Sequence, residues 1–347
     1  MVTNTPKRAK AKQLSPYRHP QQNLFICDVA DAVIKDVMAH MEHPFYSLSK
    51  KPETHIRRYE HNGNWLEVVP SVKGLATIYD KDILIYCISQ IIGKMRRGEP
   101  VTQRVKISSY DLLVFTNRGT GGKDYKALCE SLDRLDGTRI RTNIVTGDEE
   151  QFETFGLIDA SSVRRKYGLD GRLMHCEIKL SDWVFNAIQA QEVLTLHPDY
   201  FRLRKPLERR VYELARKHCG QQLEWYISLE KLLKKSGSQS PMKRFRQMVK
   251  HLVDHDHLPD YRVRLDGNNV VFSNRNIGQE TGQGNEWDRP VLRSQTYEQA
   301  RKVAPGLDIY ALEQDWAAFW VESGKPVFSN PDAAFVGFCR KRGKKQL

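Results

Sequence analysis

Several stretches of the chain hold residue types whose spacing could do chemistry. The densest covers residues 231–250, where Lys231, Lys234, Lys235, Lys243, Arg244, Arg246 and Lys250 occur without one carboxylate. Lysines in such a run hold phosphates, whereas Arg and Gln can grip guanine and adenine edges through paired hydrogen bonds. Residues 117–124 are glycine-rich and contain Gly122-Lys123. A phosphate-cradling loop, however, needs Gly where Asn117 stands and a magnesium-holding Ser or Thr where Asp124 stands. His255-Asp256-His257 ahead of Tyr261 has the residue types of a rolling-circle nickase, with metal-binding histidines and a tyrosine nucleophile. Such histidines flank an apolar residue on a strand, and here the spacer is Asp at a helix end. His40 and His43 straddle another helix end with no second ligand pair. Cys27, Cys87, Cys129, Cys176, Cys219 and Cys339 form no close pair, so neither a disulfide framework nor a zinc site is expected. The residues therefore point to binding without catalysis, and to no cofactor or metal.

The elements that must position the basic run read as a small fold of their own. Residues 207–218 predict an amphipathic helix, 225–227 a strand, and Ser228 the cap of a helix over 229–235. Pro241 opens a helix over 242–255 whose apolar stripe is Phe245, Met248, Val249 and Leu252, and 261–265 and 270–272 form a hairpin around Gly267-Asn268. On the 242–255 helix Lys243, Gln247 and Lys250 share an exposed face with Arg246 beside them, and Arg244 belongs to the same run. Helices followed by a hairpin make a winged helix, whose third helix enters the major groove.

A similar plan precedes it. Residues 24–41 repeat apolar side chains at helical spacing, and 56–59 and 65–69 flank an Asn62-Gly63 turn. Asp80 caps a helix whose apolar face runs from Ile83 to Ile92, 105–107 is a strand, and Ser108 caps a second helix before a third over 123–135. Strand-like stretches follow at 139–145, 152–158 and 172–180, with a turn at Gly147-Asp148. The third helix exposes Lys123, Lys126 and Arg134 among acids, and Arg139 and Arg141 point outward on the next strand, making a second set of candidate DNA contacts. Arg202, Arg204, Lys205, Arg209 and Arg210 form a further basic cluster, open to either a structural or a binding role.

Bulk properties agree. The 347 residues are enough for two or three domains, and 55 Lys and Arg against 42 Asp and Glu leave a net charge of +13, which favours polyanionic partners. The longest apolar stretches are about half of the roughly 20 residues needed to span a bilayer, and the basic start has no secretory pattern, so a cytoplasmic protein without membrane contact is expected. The expected architecture is α+β: a basic disordered start (1–23), a first winged-helix domain with an N-terminal extension (24–180), a second (181–275), a linker (276–293) and a small helical domain (294–347). In that last domain, helices over 296–303, 308–322 and 331–340 share Leu312, Trp316, Phe319, Trp320, Phe335 and Phe338 as core. A binding role for Trp316 and Trp320 beside the basic end is set against their use as core.

Three motifs carry a resemblance. MEHPFYSLSK (41–50), GLATIYDKDILIYCISQ (74–90) and DYKALCESLDRLDGTRIRTNI (124–144) look like the plasmid replication initiator protein A (RepA) family, over roughly residues 20–275. The resemblance implies a tandem winged-helix initiator that binds repeated double-stranded sites at a plasmid origin, helps open the neighbouring duplex, and recruits the host initiator and replicative helicase. A monomer–dimer equilibrium and repression of its own gene are compatible with it, and no catalytic residue is carried over. A winged-helix transcriptional regulator and a nickase are the alternatives.

Overall fold

The computed structural model describes residues 14–19, 34–61, 63–146, 154–165, 173–275, 277, 292, 294–304, 307, 309–322 and 330–343. Strand β1 (Lys35–Val37) runs into the short helix α1 (Met38–Glu42), and the hairpin β2 (Arg57–His61) and β3 (Asn64–Val69) follows. Next come α2 (Lys81–Arg96), β4 (Arg104–Ser108), α3 (Ser109–Phe115), α4 (Gly122–Gly137), β5 (Arg139–Thr142), β6 (Phe155–Gly156), β7 (Ile158–Arg165) and β8 (Leu173–Leu180). Helix α5 (Asp182–Gln189), strand β9 (Val193–Thr195) and a 3-10 turn at Pro198–Arg202 lead to α6 (Pro206–His218). The chain continues through β10 (Glu224–Ser228), α7 (Leu229–Ser236), α8 (Met242–His255), β11 (Tyr261–Asp266) and β12 (Asn269–Asn274) to α9 (Ser294–Val303), α10 (Ile309–Glu322) and α11 (Pro331–Gly343). No helix among the described residues is long and apolar enough to cross a membrane.

One order of elements occurs twice. Helix, strand, two helices and two strands appear as α2-β4-α3-α4-β7-β8 and again as α6-β10-α7-α8-β11-β12. Each three-stranded antiparallel sheet places its last strand in the middle, β4-β8-β7 and β10-β12-β11. The helices form where their apolar stripes meet a sheet: Phe245, Val249 and Leu252 of α8 are buried beside Val263, Val270 and Phe272. Ser108 Oγ accepts the Asp111 amide at 3.3 Å and Ser228 Oγ that of Lys231 at 3.2 Å, so both predicted serine caps satisfy an otherwise orphaned helix donor.

Three expectations are corrected. Residues 24–33 lie outside the described residues, but Lys35–Val37 is a strand paired with Val193–Thr195, not the end of a helix. Its Asp36 is buried and paired with Lys81 at 2.5 Å. Asp80 does not cap α2. Its carboxylate takes the Thr77 amide at 2.8 Å and both nitrogens of the Arg134 fork. Strand β5 pairs with β6 as a hairpin would, yet both join β3 in the sheet β2-β3-β5-β6, leaving the longer β7–β8 pair to complete the first repeated unit. The predicted turn at Gly147-Asp148 lies outside the described residues.

The repeated units meet across a buried ionic seam. Lys81 of α2, fully buried, lies 2.5 Å from Asp36 and 3.0 Å from Glu213 of α6, and Tyr200 donates to the same Glu213 at 2.6 Å. Arg209 reaches Asp82 at 2.6 Å and stacks over Tyr79 and Tyr200. Charges taken out of water need such partners, because each left alone costs several kcal/mol. At the edge of the seam His43 is buried. Desolvation first, then the Lys235 and Arg210 cations, hold its pKa down to about 4 from an ordinary 6.5, against the pull of Glu42. The folded state thus keeps His43 neutral while the unfolded chain protonates it. Stability present above about pH 6.5 is lost as pH falls towards 4, by about 1.4 kcal/mol per pH unit for this one group. Chemical denaturation across pH 7–4 should show that loss, and His43→Gln should flatten it by about one proton; an unchanged slope would remove His43 from the account.

The C-terminal helices share the second unit's core. Tyr297, Tyr310, Leu312, Trp316 and Phe335 are buried in the same cluster as Tyr261 and Phe272. The ring of Tyr310 lies on Gly220 so closely that a Cβ there would come within 2.2 Å of it, and Gly220 also has φ +55°. Only glycine fits both conditions. Of the predicted C-terminal core, Trp316 and Trp320 are buried as core residues, whereas Phe319 stays 54% exposed and Phe338 only partly buried.

Candidate nucleic-acid interface

Helix α8 turns its apolar stripe inward, and its remaining faces carry the basic run. Lys243, Arg244, Gln247 and Lys250 are exposed, and among the described residues none of the three cations has a carboxylate partner. Arg246 is half-buried. Its guanidinium donates to Gly267 O at 3.2 Å and to Asn268 Oδ1 at 2.5 Å, so it ties α8 to the β11–β12 turn. That makes Arg246 a positioning residue for the hairpin. The rest of the run divides as well: Lys231 and Lys234 are exposed, while Lys235 is buried against Glu42 at 3.4 Å in the seam.

Helix α4 offers fewer free charges. Lys123 and Lys126 are exposed at its first turns, but the expectation that Arg134 stands on the open face is corrected. Its fork is held by Asp80 at 2.7 and 2.8 Å, and that hydrogen bond raises the guanidinium pKa, which fixes α4 to the start of α2. Arg139 is exposed on β5. Arg141, on the same strand, bonds Glu67 at 3.1 Å and Thr154 at 2.9 Å across the sheet.

The basic cluster around α6 splits cleanly. Arg209 and Arg210 are buried in the seam, Arg202 pairs with Asp199 at 2.7 Å, and Arg204 and Lys205 are exposed. The nickase candidates serve packing. Tyr261 is 1% exposed and donates its hydroxyl to Gly220 O at 2.9 Å, and burial pushes its pKa up. His257 lies 3.0 Å from Glu208, and Asp256 closes α8 in a left-handed conformation while pairing with Arg275 at 2.6 Å.

Two grooves flank the candidate helices. One, of about 790 Å³, runs between Leu48, Lys50, Lys51, Glu53 and Arg57, which precede the first unit, and Arg244, Gln247, Met248 and His251 of α8. The other, of about 560 Å³, runs along the α3–α4 turn and Asp124, Ala127 and Ser131 of α4. Ser49, Lys50 and Lys51 line both. Sequence reasoning did not single out Lys50, Lys51 or Arg18, although two adjacent lysines before Pro52 were a signal in the sequence.

A protein-family model described as "Replication initiator protein A" matches residues 35–263. A "Putative replication protein" of Wigglesworthia glossinidia brevipalpis is 36% identical over 252 residues, 72% of this chain and 91% of that protein. Among solved structures, domains 2 and 3 of RctB resemble the chain at 13% identity and a TM-score of 0.46, over 67% of this chain and 96% of that one. The Pi initiator protein, solved in complex with iteron DNA, does so at 15% identity and a TM-score of 0.40, over 57% and 91%. With the family model covering most of the chain and a relative of this identity aligned along nearly its whole length, the chain belongs to the replication initiator protein A family.

Proposed function

We propose that the protein initiates plasmid replication by binding repeated duplex sites at the plasmid's origin through two winged-helix units, with α8 the principal reading helix and α4 the second. The observation that carries this reading is the exposed face of α8, where Lys243, Arg244 and Lys250 have no carboxylate partner among the described residues and surround Gln247. Unneutralised cations beside a planar amide suit a surface that both holds phosphates and reads a base edge. The repeated element order and the common strand order of the two sheets support the winged-helix assignment. In the same proposal the bound protein helps open the adjoining duplex, recruits the host initiator and replicative helicase, exchanges between monomer and dimer, and represses its own gene. The role needs no catalytic residue and no cofactor.

The test is binding of the purified chain to DNA flanking its own gene, against random duplex, across a salt series. A repeat-bearing fragment should be bound about 10³-fold or more tightly than random DNA. The Lys243→Ala/Arg244→Ala/Gln247→Ala/Lys250→Ala variant should lose that preference. Equal affinity for both DNAs would overturn the proposal, and preference confined to a promoter without repeats would make the protein a transcriptional regulator instead.

A further inference from the structure

The two grooves beside α8 and α4 are continuous through one basic ridge. Lys50 and Lys51 line both, Arg204 lines the α4 groove, and its neighbour Lys205 lines the α8 groove. The carboxylates in these linings are already engaged. Glu53 is bound by Arg57 at 3.1 Å, Asp80 by Arg134, Asp82 by Arg118 and Arg209, and Glu208 by His257 and by Lys205 at 3.5 Å, while Asp124 accepts the Gly121 amide at 3.3 Å. By contrast Arg18, Lys50, Lys51 and Arg204 are exposed, and among the described residues none of them has a carboxylate partner. Asp124 apart, whose charge meets only a neutral amide, the free charge of the ridge is therefore positive.

The backbone beneath these cations is pinned. Tyr79 donates its hydroxyl to the Arg204 carbonyl at 2.6 Å, and Leu75 N–H to Glu53 O at 2.9 Å. The Arg18 amide is held by Asn117 Oδ1 at 2.8 Å, on the turn that enters α4. The seam beneath fixes the two units to one another, so the ridge keeps its place between the two helices. A duplex passing from one reading helix to the other must present a sugar–phosphate strand in between, and cations on a fixed backbone match that strand with little ordering cost.

We propose that Lys50, Lys51 and Arg204, with Arg18 beside them, form a saddle that grips the phosphodiester backbone of duplex DNA between the segments engaged by α4 and α8. This rests on the DNA-binding reading above. The saddle carries no sequence information of its own; it sets how the two helices share one continuous duplex.

The experiment compares the full chain with a Lys50→Ala/Lys51→Ala/Arg204→Ala variant and with a milder Lys50→Gln/Lys51→Gln variant. Each is titrated against a repeat-bearing fragment and random duplex over a salt series, with thermal unfolding to confirm the fold. Each phosphate contact contributes about 0.9 to the slope of log affinity on log salt. The slope should therefore fall by about 2.7 in the triple variant and by about 1.8 in the double. Affinities for the two DNAs should drop by the same factor, leaving their ratio unchanged. Ethylation of phosphates between the two protected segments should block the native chain and cease to matter to the variant. If the native chain prefers its fragment but the variants keep the native slope, the saddle is wrong and the DNA-binding reading stands. A changed ratio at unchanged slope would equally overturn it, by making these residues base readers. If the native chain shows no preference, the DNA-binding reading falls and takes the saddle with it.

Discussion

Replacing Arg210 with alanine should lower the stability of the protein by about 3–5 kcal/mol, because several buried carbonyl acceptors lose their donor at about 1–3 kcal/mol each. Arg210 is almost fully buried, and its two terminal nitrogens make five contacts. One nitrogen donates to the carbonyls of His40 and Met41 and to Glu213 at 2.8–3.1 Å. The other donates to the carbonyls of Glu42 and Lys235 at 3.0 and 2.9 Å. Those carbonyls lie in the last turns of α1 and α7, where helix ends leave acceptors without partners and a cation is favoured. Truncation therefore leaves four carbonyls in both halves of the molecule without this donor, while Glu213 keeps Lys81 at 3.0 Å and Tyr200 at 2.6 Å. Arg210→Lys keeps the charge but cannot fork, and should recover only part of the loss. Urea unfolding followed by circular dichroism checks both variants, and a loss below about 1 kcal/mol for the alanine variant would show that water replaces the guanidinium without penalty.

A second large effect separates two jobs on α8. Gln247→Ala should cost about 1–3 kcal/mol, or about 5- to 150-fold, on the repeat fragment and almost nothing on random duplex, because a side-chain amide reads a base edge. Lys250→Ala, one turn away, should weaken both DNAs by a similar factor and make the salt slope shallower by about 0.9. The measurement is a titration of each single variant against both DNAs. If the two variants behave alike, the amide is not reading a base and this face of α8 contributes charge only.

Much of this was legible in the sequence, and what was missed has a common cause. Amphipathic spacing located α8 and the C-terminal helices, and the serine caps were found because an N-cap is a local event between residues three apart. Pairing between distant residues leaves no local trace. Arg134 and Arg209 looked like any other exposed arginines, because their partners Asp80 and Asp82 lie 54 and 127 residues away. Strand β1 was read as helix because three residues carry no period, and because the Lys81 that makes a buried Asp36 tolerable is far along the chain. The same reasoning explains the candidate interface. Lys243 and Lys250 read correctly as exposed because burial follows the stripe of their own helix, whereas Arg246 could be assigned to the hairpin turn only once the β11–β12 pairing was known.

The two repeated units follow one another in a single chain and carry different side chains on their third helices, so one copy has no internal twofold axis. If both units engage one duplex as proposed, a single copy reads it with a head and a tail, and the site matched to one copy is not a palindrome. On sites that share one orientation, copies loaded side by side would form a polar row whose leading and trailing ends expose different surfaces, which would give the row a direction set by the order of two helices within one polypeptide.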